Sequence, residues 1–249
     1  MIEFADGPQG QDRKAAIVVN DIHVPYQDNR VIDLVLEFTA KIEPDLFIIN
    51  GDLLDMFKAS RFDKDPMRGA SIAEEFKQGR EILGRIRDAA PNAERHFVFG
   101  NHEYRFDVYL WNQAKEFQGM DGLAVKDQLR CEEYGFQVHY RYSRESIFRV
   151  TQELTVGHWN IARKHSAYTA KAVMDKHRRN CVQGHTHRIG LHALTENGRV
   201  YQVVENGCLC DLDPEYVLEP NWQHSFSIVR WSEDGWCDIE LVPIVGYRS

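Results

Sequence analysis

No apolar run in this chain approaches the ~18 residues that a membrane span requires. Its opening, MIEFADGPQGQDRK, lacks the apolar core of a secretory signal. Cysteine is scarce: five residues, at 131, 181, 208, 210 and 237, an odd number with no framework spacing. That argues against a disulfide scaffold and fits reduced thiols in a cytoplasm. Basic charge is in deficit. Lys and Arg number 30 against 38 Asp and Glu, a net of −8, which disfavours a protein whose main task is gripping duplex DNA. A P-loop, a G-x-G-x-x-G loop and a G-x-S-x-G elbow are all missing, so neither a nucleotide cradle of those types nor a nucleophilic serine is indicated. No repeat, low-complexity tract or linker interrupts the chain, so one domain is expected over 1–249. Apolar residues at 43% and charged residues at 27% are enough to build a core and a solvated surface.

What is there alternates. Residues 15–19 (AAIVV), 46–49 (LFII) and 96–99 (HFVF) are short apolar runs that read as buried strands. Between them, Val31, Leu34, Val35 and Phe38, and then Ile72, Phe76, Leu83 and Ile86, recur at helical spacing. Pro44 ends the first of these helices, because the residue before a proline is pushed out of the α region. Strand–helix–strand alternation implies parallel strands. The later sequence is richer in short β runs, at 136–140, 146–150, 153–156, 180–183, 189–194, 199–204, 225–231 and 236–242, with a helix over 166–177. Asn197-Gly198 and Asp234-Gly235 mark hairpins. The expected fold is an α/β four-layer αββα sandwich of two mixed sheets, with the hairpins of 190–249 completing the second sheet.

The chemistry gathers where the strands stop. Asn20-Asp21-Ile22-His23 follows the first strand, Gly51-Asp52-Leu53-Leu54-Asp55 the second and Gly100-Asn101-His102-Glu103 the third. Gly157-His158 and Gly184-His185-Thr186-His187 follow two later ones. Ligand sites in α/β sheets lie outside the carboxyl ends of strands. Asp, His and Asn together offer nitrogen and oxygen to Mn, Fe, Zn, Co or Ni rather than to Ca. Asp21, His23, Asp52, Asn101, His158, His185 and His187 make seven ligands. One metal would be overcrowded; two divalent ions sharing a carboxylate would be well served.

These motifs, DxH, GDxxD, GNHE, GH and GHTH in this order, resemble the calcineurin-like metallophosphoesterase superfamily, and the length is similar to small bacterial or phage-encoded members. The resemblance spans 21–187. It implies that Asp21, His23 and His187 hold the first metal, that Asn101, His158 and His185 hold the second, and that Asp52 bridges them. It implies a catalytic pair as well: His102 as general acid or as a donor to the phosphoryl oxygens, and Asp55 as the carboxylate that orients it and keeps it protonated. The implied reaction is a two-metal hydrolysis of phosphate esters through a bridging hydroxide, most often of diesters, with Mn the first choice of ion and no covalent phosphoenzyme. Met56 and Phe57 follow Asp55 where the protein phosphatase branch has arginine, which disfavours that branch.

Other residues invite weaker roles. Arg105 and His165 are candidate substrate contacts, each close in sequence to a ligand. Residues 163–179 are locally basic and read as a solvated helix face ahead of a phosphate-gripping rim, which Arg141 and Arg144 could extend. Arg61, Phe62, Lys64 and Arg68 suggest a substrate flap within 56–70, and 104–135 reads as a second specificity loop. Cys208 and Cys210 read as buried thiols, lacking two further ligands nearby. Trp222, Trp231 and Trp236 read as packing residues. The expected partner is a phosphate-ester substrate in the cytoplasm, with no membrane. A nuclease is the alternative, leaving nucleic acid open as a partner; a phosphomonoesterase and a non-catalytic scaffold follow.

Overall fold

The apolar runs become strands buried on both faces, which is why they read as near-continuous rather than alternating. A computed structural model describes residues 13–61, 70–117, 119–140, 146–214 and 217–246. The Phe62, Lys64 and Arg68 part of the expected flap, and Arg141 and Arg144, lie outside the described residues. Strands β1 (Lys14–Val19), β2 (Leu46–Asn50), β3 (Glu94–Val98) and β4 (Phe136–His139) run parallel in one sheet. Strands β5 (Ser146–Arg149), β6 (Leu154–His158), β7 (Asn180–Gln183), β8 (Ile189–Glu196) and β9 (Arg199–Asn206) form a second sheet in the order β5-β6-β7-β9-β8.

Side chains alternate across each strand and so build three apolar layers. Ala16, Val18, Ile48 and Val98 face Leu154, Val156, Val182 and Val204 between the sheets. On the outer side, Ile17, Val19, Phe47, Ile49 and Phe97 meet the stripes of α1 (Asn29–Ile42) and α2 (Ile72–Ala89). Ala170, Val173 and Met174 of α5 (Tyr168–His177) cover Cys181 and Val203 on the other sheet. Helix, sheet, sheet, helix is the expected sandwich. Asp28 caps α1 by accepting from Arg30 N–H, and Glu43 (φ 48°) ends it next to Pro44.

Two expectations are corrected. The hairpin of β10 (Ser225–Trp231) and β11 (Cys237–Pro243) joins the first sheet, not the second: β10 pairs antiparallel with β1, giving the order β11-β10-β1-β2-β3-β4. β1 starts the parallel series and leaves one edge open, and β10, buried along nearly its whole length, closes it. Among the described residues, only the β8–β9 hairpin completes the second sheet. The loop expected over 104–135 instead contains α3 (Asn101–Gln113) and α4 (Val125–Gln128). Helix α3 buries only Glu103 and Phe106, so it carries no stripe that periodicity could reveal. No helix among the described residues is long and apolar enough to cross a membrane.

Candidate metal centre

The segments after β1 and β2 run side by side and are laced through their main chains. Asp21 N–H donates to Gly51 O (3.0 Å), Ile22 and His23 N–H to Asp52 O (2.9 and 3.0 Å), and Asp55 N–H to Val24 O (2.9 Å). The chain has to turn sharply to present side chains here. Asp21 (φ 51°), His23 (51°), Asp52 (51°), His185 (76°) and His187 (56°) all take the left-handed conformation. That costs about 1–2 kcal/mol for each residue with a Cβ. Strain of this kind, concentrated on one rim, is a mark of a functional site.

Two triads of ligand-type atoms result, Asp21–His23–His187 and Asp52–His158–His185, each with its atoms within 4.8 Å of one another. In the first, Asp21 Oδ1 lies 3.6 Å from His23 Nε2 and 3.1 Å from His187 Nε2, and the two ring nitrogens are 3.0 Å apart. In the second, His158 Nε2 is 3.1 Å from Asp52 Oδ2. The same Asp52 oxygen is 3.9 Å from His23 Nε2, so this carboxylate stands between the triads.

The donors fit divalent cations. Besides the close contacts within the triads, Asp21 Oδ1, Asn101 Oδ1 and His158 Nε2 are buried and make no hydrogen bond among the described residues, a costly arrangement unless something else meets them. His158 is already oriented for this: its Nδ1 is 2.8 Å from Asn50 O, leaving Nε2 to face the centre. Electrostatics agree. Burial opposes a charge on His23, yet Asp21 and Asp55 raise its pKa to about 10. Burial likewise opposes a charge on His158, and Asp52 and Asp21 raise it to about 9. Asp21 and Asp52 stay below the ordinary carboxylate range, because the facing histidines outweigh their burial. His185, pushed down to about 4 by burial and by His158, offers a neutral ring. The pocket demands positive charge and presents nitrogen and oxygen to hold it.

His102 sits on the first turn of α3, its ring edge-on to His23 at 4.4 Å. Asp55 meets His102 through two atoms. The Asp55 carboxylate is 3.5 Å from His102 Nδ1 and 3.3 Å from His23 Nδ1, but the close partner of His102 Nδ1 is the Asp55 main-chain carbonyl, at 2.7 Å. Burial drives the His102 pKa down to about 3, against the upward pull of Asp52 and Asp55. Arg105 donates to the same Asp55 carbonyl (2.9 Å) and lines a cavity of about 450 Å³ with Asn101, Arg61, Tyr104, Tyr109 and Asn160. His165 is not brought into either triad; it is exposed, with its ring against Tyr168. Part of the basic segment is paired within the protein. Lys171 pairs with Asp175, Arg178 with Glu196, and Arg179 donates to His177 O and Gln152 O.

Several supporting residues escaped the sequence reading. Asn20 donates to Asp21 Oδ2 (2.5 Å), Asn206 donates to Asn20 Oδ1 (2.5 Å) and Ser227 donates to Asn206 Oδ1 (2.5 Å), a buried relay that fixes Asp21. Glu103 accepts from the N–H groups of Asp52 (3.0 Å), Leu54 (3.1 Å) and Gly100 (2.8 Å), locking the Asp52 turn to the start of α3. Burial and the charge of Asp52 raise its pKa to about 7. Asn50 ties the sheets together through Gly157 O (3.1 Å) and Val182 O (3.3 Å). A Cβ at Gly100 would overlap Asp52 Oδ1, so only glycine fits there. Glu103 and Asn20 lie within the quoted motifs, which was the one available signal. Asn206 and Ser227 reach the site from far along the chain.

Comparison with known proteins gives the family. The chain is 28% identical to the Gene 54 protein of Mycobacterium phage D29 and 26% identical to that of Mycobacterium phage L5, in both cases over 94% of this chain and 95% of the phage protein. Among solved structures it is similar to a dimetal phosphatase from Danio rerio (TM-score 0.43, 10% identity, 93% of this chain and 99% of that one). It is also similar to Vacuolar Protein Sorting 29 from Cryptosporidium parvum (TM-score 0.45, 12% identity, 94% and 99%). The family model described as calcineurin-like phosphoesterase matches residues 16–189, which takes in both triads, Asn101 and His102, and the chain belongs to that family.

Proposed function

We propose that this protein is a phosphodiesterase with a dinuclear metal centre. Asp21, His23 and His187 would hold one ion, Asn101, His158 and His185 the other, and Asp52 both. The observation that carries the reading is that Asp52 Oδ2 lies 3.1 Å from His158 Nε2 of one triad and 3.9 Å from His23 Nε2 of the other, with Asp21 Oδ1, Asn101 Oδ1 and His158 Nε2 buried and without a hydrogen bond among the described residues. When bound, the ions supply an activated water at neutral pH and neutralise the phosphoryl oxygens.

The protein's own groups do the rest. His102, with Nδ1 donating to Asp55 O, presents Nε2 towards the centre, 3.7 Å from Asp52 Oδ2. An anionic phosphoryl group arriving beside Nε2 favours the imidazolium and offsets the effect of burial. His102 then delivers that proton to the leaving oxygen. Arg105 is aimed along the same helix face as a contact for the anionic group. The cavity beside Asn101 lies within the size range of small-molecule sites. A monoester has no second substituent to fill it, and this favours a diester.

The nuclease reading draws less support, because the chain carries a net charge of −8 and two cations of the basic segment, Lys171 and Arg178, already pair with acids. The scaffold reading has to explain why every ligand position is filled. The test is turnover of a chromogenic diester and its matching monoester, after chelation and again after adding Mn²⁺. The reading expects activity only with metal and a preference for the diester. Metal-restored activity confined to the monoester would overturn the diesterase reading, and inactivity with every first-row ion would overturn catalysis altogether.

A further inference from the structure

The sequence left Cys208 and Cys210 without enough neighbours to be ligands. The fold supplies the missing one. His187 is buried between two different sets of donors. Its Nε2 faces Asp21 and His23, while its Nδ1 lies 3.8 Å from Cys210 Sγ. His187, Cys208 and Cys210 each offer a ligand atom, all within 4.8 Å of one another, and all three residues are buried. We propose that these three side chains form a third cation site, for a thiophilic ion of the Zn²⁺ or Cd²⁺ class, at the Nδ1 edge of the His187 ring, whose Nε2 edge meets the phosphoesterase centre.

The chemistry of the donors sets the ion. Two sulfurs and an imidazole nitrogen select soft ions, whereas the triads offer only nitrogen and oxygen. Three protein ligands leave a fourth position for water or an exogenous group. The segments that carry the ligands are already fixed to one another. Cys208 N–H donates to Gln223 O (3.0 Å), Gln223 N–H to His187 O (2.9 Å) and Leu209 N–H to Asp21 O (3.1 Å). His224 Nε2 is 2.7 Å from Cys210 O and holds that end of the segment. Trp222, whose ring lies 4.2 Å from that of His187, and His224, which contacts Cys210 O, line a cavity of about 630 Å³ together with Asp211.

Loading the site is a proton exchange and needs no oxidant. The two thiol protons and the Nδ1 proton leave for solvent as the ion binds. The ring of His187 then serves two masters. If the dinuclear reading above holds, a soft ion at Nδ1 redirects a ligand of the first metal and slows the Mn²⁺-loaded enzyme, so this site regulates the other.

The experiment titrates the full chain, preloaded with Mn²⁺, with Cd²⁺ and follows the ultraviolet thiolate-to-cadmium absorption. The expected result is a band that saturates at one equivalent. Replacing both thiols (Cys208→Ser with Cys210→Ser) abolishes it, and Cys131→Ser, Cys181→Ser or Cys237→Ser leaves it in place. Cadmium-edge X-ray absorption of the wild-type Mn²⁺-loaded chain, expected to show two sulfur neighbours, decides the same point even where the double variant does not fold. No thiolate band, a band that survives the double substitution, or cadmium without sulfur neighbours would overturn the proposal. Mn²⁺ stoichiometry before Cd²⁺ addition reports on the dinuclear reading separately. A count other than two, with the thiolate band intact, sinks that reading and spares this site.

Discussion

The two proposed half-sites are built differently. His158 is the last residue of β6 and Asn101 is the first of α3, so the second half-site takes two of its donors from regular structure. Asp21, His23 and His187 all sit on loops with positive φ, and the first half-site is held in place from outside. Its supports are the Asn20–Asn206–Ser227 relay, the His23 contact with Asp55 and the thiols behind His187. The comparison teaches where a metal site's precision comes from. One half inherits it from strand and helix geometry; the other depends on side chains contributed by β9 and β10, far along the chain.

That difference can be broken experimentally. The largest effect is expected at the group both halves share. Asp52→Ala should cost both ions and lower diester turnover by about 10³-fold or more. Metal analysis that still finds one tightly held ion beside near-normal turnover would show that Asp52 is not common to the two. Next comes His102→Ala, which should keep both ions and lose about 10²–10⁴-fold in turnover on esters with poor leaving groups. Release of metal from that variant would move His102 from proton donor to ligand.

Asn206→Ala sharpens the comparison most. Removing the relay should weaken ion binding to the first half-site about 10–100-fold and leave the second near its wild-type affinity. A biphasic Mn²⁺ titration reads both. Equal weakening of the two phases would mean that the halves are not independently supported.

The smallest effect lies outside both, between the sheets. His96 Nδ1 is 3.0 Å from His139 Nε2, and both rings stack on Phe148. Burial pushes the His139 pKa down to about 4 and lowers that of His96, with Glu94 opposing it. The folded state therefore binds fewer protons than the unfolded chain, whose histidines titrate near 6.5. Stability contributed by the neutral pair is intact above pH 6.5 and is lost as pH falls towards 4. Thermal unfolding of His139→Gln across this range should show a shallower acid decline than wild type; parallel declines would discard the idea.

Much of the site was legible because its ligands are local. DxH, GDxxD, GNHE and GHTH each pack two or more polar groups into a few residues after an apolar run, and chain order then suffices. The strands were legible for the same reason, as residues buried on both faces leave an unbroken apolar signature. What was hidden is non-local or main-chain. Helix α3 buries too little to show a period. The β10–β11 hairpin announces itself through Asp234-Gly235, but nothing local says which sheet edge is free. Asp55 acts on His102 through a carbonyl, which any residue carries. The partnership of Cys208 and Cys210 with His187 exists only once β9 has returned beside β7.

The most direct measurement is anomalous scattering from crystals grown with Mn²⁺. The account predicts two ions, one against Asp21, His23 and His187 and one against Asn101, His158 and His185, with Asp52 touching both. A single ion, or two that do not share Asp52, would contradict it.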